Sequence, residues 1–208
     1  MNDSKILLTL VGAAGASFLI YNLISADAHC LPRSTIAPKI MLLGDSLTGT
    51  ASYHATVRKA LLIKYPAAQI TTLSYPGKGI AFIRSEGLKH VLQAKPDLVV
   101  FLAGVNDLAS GRPVTYVITQ LAKTYQELYE HDVPVAAVTL TPWSAHTKGR
   151  RLQSETLQVN AFIQRTPIPC SVVNSTEITG LGADGLHLTR AGGIELAKSV
   201  LKDALGVI

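Results

Sequence analysis

Short apolar runs rich in β-branched residues recur along the chain at 39–43, 69–73, 97–103, 133–140 and 169–174, each bounded by Gly, Pro, Asp or Asn. Longer segments of mixed polarity alternate with them, at 51–65, 80–94, 113–131, 150–165 and 190–205. Within 113–131, Val117, Leu121, Tyr125 and Leu128 return every three to four residues, which marks one buried face of an amphipathic helix. Thr189 stands where a side-chain oxygen can cap the last helix. Two runs, "DLVVFLAG" and "VPVAAVTL", are apolar without alternation, as strands covered on both faces must be. Five strands alternating with five helices predict an α/β domain built on a parallel sheet with helices on both sides. In such a sheet ligands bind beyond the carboxyl ends of the strands. Those ends are where chemistry is to be sought.

The front of the chain departs from this alternation. Ile6 to Ile24 ("ILLTLVGAAGASFLIYNLI") carries no charge, and as a helix it would reach ~28 Å, close to the thickness of a bilayer core. Lys5 precedes it, and Ala26-Asp27-Ala28 follows with the small-x-small pattern of a signal peptidase site. Residues 1–28 therefore read as a signal peptide or as an uncleaved membrane anchor, and either one exports the rest. The expected location is the cell envelope, periplasmic or membrane-anchored, or the outside of the cell. Residues 29–38 ("HCLPRSTIAP") have two prolines and no periodicity and read as a linker, leaving 39–208 as the domain.

Composition sharpens the picture in three ways. With 48% hydrophobic and 16% charged residues, the chain is globular and not disordered. The net charge is +5, and residues 1–28 contribute −1 of it, so the remainder carries +6. That balance favours anionic surfaces such as lipid headgroups or acidic glycans. The basic residues are scattered with no aromatic-basic motif, so nucleic acid is not an expected partner. The two cysteines, Cys30 and Cys170, either pair as a disulfide in an exported chain or remain free thiols. No HExxH, paired CxxC, GxSxG elbow or Walker loop is present, so neither a metal nor a cofactor is implied.

Polar candidates gather at the strand ends. The first strand ends in Gly44-Asp45-Ser46, the second in "SYPGKG" (74–79), the third in Gly104-Val105-Asn106-Asp107 and the fourth in "TLTPW", closing on Trp143. After the fifth comes Asp184-Gly185-Leu186-His187. Acyl transfer requires a hydroxyl nucleophile, a base, a carboxylate that orients the base, and donors aimed at the developing oxyanion. Ser46 offers the hydroxyl and His187 the base. Asp184, three residues earlier, can share one side of a turn with His187. Asn106 offers an amide donor, a glycine in "SYPGKG" an unobstructed backbone N–H, and Ser46 its own N–H beside the following helix N-terminus. Asp45 and Asp107 read as structural acceptors of backbone N–H groups at their turns.

The blocks "GDSL", "GVND" and "DGLH" resemble, in order and position, three sequence blocks of the SGNH (GDSL) hydrolase family. The resemblance covers about residues 39–205. It implies a three-layer α/β/α sandwich of flavodoxin-like type with a five-stranded parallel sheet. It also implies Ser46 as nucleophile, His187 as base, Asp184 as its partner and Asn106 as oxyanion donor. The glycine block departs from the family pattern: Ser74 and Pro76 stand where the family carries Asn and Gly. Aligning on the strand end makes Gly79 the oxyanion glycine, with Gly77 the alternative. The expected activity is hydrolysis of carboxylic esters of lipids or carbohydrates through a Ser-His-Asp triad and an acyl-enzyme. The alternatives are an acyltransferase on the same site and a catalytically silent glycan-binding module. Trp143 and His146, in the loop after the fourth strand, are candidate substrate contacts.

Overall fold

The computed structural model describes residues 30–31, 36–143 and 149–208. The leader (1–28), linker residues 29 and 32–35, and His146 lie outside the described residues. Five strands, β1 (Lys39–Gly44), β2 (Gln69–Ser74), β3 (Leu98–Leu102), β4 (Val135–Val138) and β5 (Ser171–Val173), form one parallel sheet in the order β2-β1-β3-β4-β5. The register aligns Ile40 with Ile70 on one side and with Leu98 on the other. All five residues of β3 and all four of β4 are buried, which explains their unbroken apolar sequence. The expected runs were longer than the strands because apolar residues such as Leu140 continue into the core after sheet pairing has ended.

Six helices flank the sheet: α1 (Ala51–Lys64), α2 (Ile80–Ala94), α3 (Val105–Ala109), α4 (Val114–Glu130), α5 (Gly149–Arg165) and α6 (Arg190–Asp203). α1 packs on α6, while α4 packs between α2 and α5, giving the two helical layers of an α/β/α sandwich. Val117, Leu121, Tyr125 and Leu128 of α4 are all buried, and Phe101 of β3 meets Tyr125 edge-on at 6.2 Å. Burying side chains of this size contributes about 1.5–3 kcal/mol each. Thr189 caps α6 by accepting from the Gly192 N–H at 3.2 Å. Among the described residues no helix is long and apolar enough to cross a membrane.

The short helix α3 is absent from the sequence reading. Five residues are too few for a periodic signal, and its entry depends on Gly104, whose φ of +131° lies in a region that disfavours L side chains. The cysteines pair: Cys30 is joined to Cys170, just ahead of β5, across a sequence separation of 140 residues. The Cys30 N–H also donates to the Ala204 carbonyl beyond α6 at 3.3 Å. The strand order places the ends of β1 and β3 side by side where the chain's winding direction reverses, the usual ligand position in a sheet of this order.

Candidate active site

Ser46 follows the end of β1 in a turn that is fastened from three directions. The Asp45 N–H donates to the Leu102 carbonyl of β3 at 3.3 Å. The Asp45 carboxylate accepts the Leu47 N–H at 3.0 Å, so it spans the serine. The Asp45 carbonyl accepts the Ser74 hydroxyl from the end of β2 at 2.8 Å. Ser74, the departure from the family's asparagine, thus ties the β2 end to the serine turn. Ser46 itself is half-buried, and its N–H has no acceptor among the described residues.

His187 and Asp184 arrive on a folded loop between β5 and α6. That loop closes on itself: Gly182 N–H donates to the His187 carbonyl at 2.7 Å and Gly185 N–H to the Gly182 carbonyl at 2.9 Å. Its base is fixed to α6 through Glu195, which accepts from Thr179 N–H at 2.9 Å and Gly180 N–H at 3.2 Å. The result brings Ser46 Oγ to 2.9 Å from His187 Nε2, and His187 Nδ1 to 2.5 Å from Asp184 Oδ2. Asp184 Oδ1 accepts the Leu186 and His187 N–H groups at 3.1 and 3.0 Å. The hydrogen bond from His187, helped by these amides, holds the Asp184 carboxyl down at about 2. Asp184 therefore stays ionised at neutral pH and faces the imidazole as an anion.

Asp45 behaves oppositely. Its carboxyl is fully buried, and one oxygen has no hydrogen-bond partner. Burial pushes it up to about 7, against the lowering effects of the Leu47 N–H and of His187. Asp107 is raised in the same direction by burial, although its Oδ2 accepts the Ile80 N–H at 2.9 Å. Asp45 accepts a backbone N–H at its own turn, as the sequence suggested, whereas Asp107 accepts one from the distant start of α2.

Asn106 occupies the first turn of α3 and donates one amide hydrogen to the Lys78 carbonyl at 3.0 Å, leaving its second amide hydrogen unused. The two candidate glycines differ in character. Gly77 has φ +73° and open space where a side chain would be, so backbone conformation alone calls for glycine there. Gly79 has an ordinary extended conformation, but a Cβ on it would lie 2.6 Å from Asp107 Oδ1. Its N–H has no acceptor among the described residues. Gly77, Gly79 and Asn106 line a common cleft of about 270 Å³. Trp143 is 7% exposed and packs into the core, with its backbone N–H donating to Gln153 Oε1 at 3.1 Å. The ring of this candidate substrate contact is therefore largely covered. Among the described residues no cluster of His, Cys, Asp or Glu could hold a metal ion.

Arg112 and Tyr116, which line the same cleft, were missed in the sequence. A single exposed cation beside an aromatic residue leaves no periodic or motif signal.

The GDSL-like lipase/acylhydrolase family model matches residues 42–193. No curated protein matches the chain at a significant level. Among solved structures, TesA is similar with a TM-score of 0.68 at 18% identity, covering 82% of this chain and 99% of that one. The lipase/acylhydrolase from Enterococcus faecalis gives 0.68 at 21% identity, covering 79% and 94%. Axe2, an acetylxylan esterase from Geobacillus stearothermophilus, gives 0.66 at 18% identity, covering 81% and 95%. The family match spans the serine turn, the Asn106 helix and the Asp184–His187 loop, and so the chain belongs to the GDSL-like lipase/acylhydrolase family of SGNH hydrolases, as an enzyme of the esterase and lipase type.

Proposed function

We propose that the protein hydrolyses exposed carboxylic esters through a covalent acyl-enzyme on Ser46. The observation that carries this reading is the unbroken hydrogen-bonded line from Ser46 Oγ through both ring nitrogens of His187 to Asp184. His187 Nε2 takes the hydroxyl proton as Oγ attacks the carbonyl carbon. The oxyanion that forms is met by the N–H groups of Ser46 and Gly79 and by the free amide hydrogen of Asn106. The imidazolium then protonates the leaving oxygen, the C–O bond breaks and the alcohol departs. Water, deprotonated by His187, attacks the acyl-serine and releases the acid. Asp184 remains ionised throughout, fixes the ring tautomer and stabilises the imidazolium.

Gly79 is the better oxyanion glycine on two grounds. It abuts Asp107, whose carboxylate holds the next residue's N–H, and the Asn106 amide grips the carbonyl just before it. Acetyl esters of glycans and acyl esters of lipids both suit a half-exposed serine at an open sheet edge. The likeness to an acetylxylan esterase supports the first of these. The disulfide supports an oxidising, extracytoplasmic setting, in line with the leader-like residues 1–28.

The test is Ser46→Ala assayed on 4-nitrophenyl butyrate, with fluorophosphonate labelling of the wild-type serine. The expected result is a loss of about 10³-fold or more in kcat and labelling that vanishes with the substitution. Near-normal turnover by the variant overturns the mechanism.

A further inference from the structure

The cleft that carries Gly79 and Asn106 lies between the start of α2 and the start of α4. Phe82, Arg112 and Tyr116 line it beyond the two candidate donors. The Arg112 guanidinium lies over the Tyr116 ring, 5.1 Å from its centroid. On the α2 side, the Lys78 ammonium lies 5.0 Å from the centroid of Phe82. Tyr75 meets the same Phe82 edge-on at 5.7 Å. Each cation is thus steadied by an aromatic face.

Neither cation has a carboxylate within ion-pair distance among the described residues, whereas Arg84 and Lys89 nearby do, on Glu127 and Glu86. The acid that lines the cleft, Asp107, is 5% exposed and one of its oxygens is engaged by the Ile80 N–H. Arg112 contributes to lowering the Asp107 carboxyl as a distant counter-charge, against the larger upward effect of burial. Its backbone is placed by a bond from its N–H to the Asp107 carbonyl at 3.0 Å. Arg112 thus lines the cleft and Lys78 stands over Phe82, which also lines it, so two exposed positive charges adjoin the two candidate donors.

Resting on the esterase reading above, we infer that Arg112, with Lys78, selects esters that carry an anionic group, a carboxylate or a phosphate, in this cleft. Guanidinium presents paired donors matched to the planar oxygens of a carboxylate, and its hold over Tyr116 reduces the side-chain freedom lost on binding. The anion can belong to the acyl part of the ester or to its alcohol part, and small soluble substrates separate the two.

The experiment compares kcat/KM for charged and neutral pairs at low ionic strength. The acyl arm sets 4-nitrophenyl hydrogen glutarate against 4-nitrophenyl butyrate. The alcohol arm sets acetylated glucuronic acid against acetylated glucose, with acetate release as the readout. The expected result is a charged-to-neutral preference of roughly three- to tenfold in at least one arm, which shrinks in high salt. Arg112→Gln should abolish most of that preference and Arg112→Lys should keep part of it. Lys59→Gln, a cation exposed on α1, should leave the preference in place.

Turnover of neutral esters with no preference in either arm overturns the inference while sparing the esterase reading. An equal loss on charged and neutral substrates in Arg112→Gln also overturns it, since that result assigns Arg112 to Asp107 alone. A wild-type protein that turns over none of the four esters overturns the esterase reading itself.

Discussion

The two oxygens of Asp184 hold His187 at both ends: Oδ2 meets the ring Nδ1 at 2.5 Å, and Oδ1 accepts the backbone N–H of the same residue at 3.0 Å. Ring and backbone are thus referred to one carboxylate, and the ring can swing away from Ser46 only by giving up the first bond. Asp184→Asn should keep the fold and the loop bond to the backbone but present an amide that favours the wrong imidazole tautomer. The expected loss in kcat is roughly 10³- to 10⁴-fold, read on a 4-nitrophenyl ester with circular dichroism as the check on folding.

The same pair has a stability signature in acid. The Asp184 carboxyl is lowered from 3.8 to about 2, so the pairing contributes stability above the unfolded value and loses it as pH falls through the folded one. With side-chain exposures of 49% for Asp184 and 51% for His187, the contribution is discounted to well under the unscreened figure. The melting-temperature gap between wild type and Asp184→Asn should narrow as pH falls from about 4 to about 2.

Asp45 should show the reverse trend. Its carboxyl is raised from 3.8 to about 7, so the folded state holds a proton that the unfolded chain releases. The stability this supplies is complete below the unfolded value and is lost as pH climbs toward 7. Asp45→Asn keeps an oxygen for the Leu47 N–H and has no proton to lose. Its melting temperature should fall less than that of the wild type between pH 4 and 7, and parallel curves would contradict the buried-acid account.

The two glycines of the β2–α2 loop separate by substitution. Gly79→Ala drives a methyl group against Asp107 and displaces the carboxylate that holds the Ile80 N–H, at a cost of about 1–3 kcal/mol and a large fall in kcat. Gly77→Ala strains a left-handed residue in open space, at a cost of about 1 kcal/mol. Its effect on kcat should be the smaller of the two. Equal effects would return the oxyanion assignment to an open choice.

Reduction of the Cys30–Cys170 bond, or the double substitution to serine, should lower stability by about 2–4 kcal/mol. The ester-binding edge lies at the other ends of the strands. The expected outcome is therefore a lower denaturant midpoint with turnover retained under native conditions.

Most of the framework was legible because it rests on long-range regularities of the chain. The apolar runs near 39–43 and 97–103 needed no tertiary knowledge to be read as β1 and β3. The three-to-four-residue rhythm of Val117, Leu121, Tyr125 and Leu128 gave α4 its inward face. The hydroxyl, imidazole and carboxylate were nameable because Ser46, Asp184 and His187 sit in local blocks at strand ends. What stayed hidden depends on contacts between distant segments. The choice between Gly77 and Gly79 turns on where Asp107 lies, and no local spacing records that. The burial of Trp143, the pairing of Cys30 and the aromatic supports of Lys78 and Arg112 are likewise set by chain segments remote in sequence.

The disulfide also gives the molecule a polarity. Cys170 stands immediately before β5, at the edge of the sheet where the strands begin, and it holds Cys30 there. Ser46 and Asn106 follow the opposite edge, where β1 and β3 end. Cys30 is thus fastened at the edge of the sheet opposite the one that carries the reactive serine. A contact made at the disulfide edge would leave the edge that carries Ser46 and Asn106 open to whatever approaches from the far side.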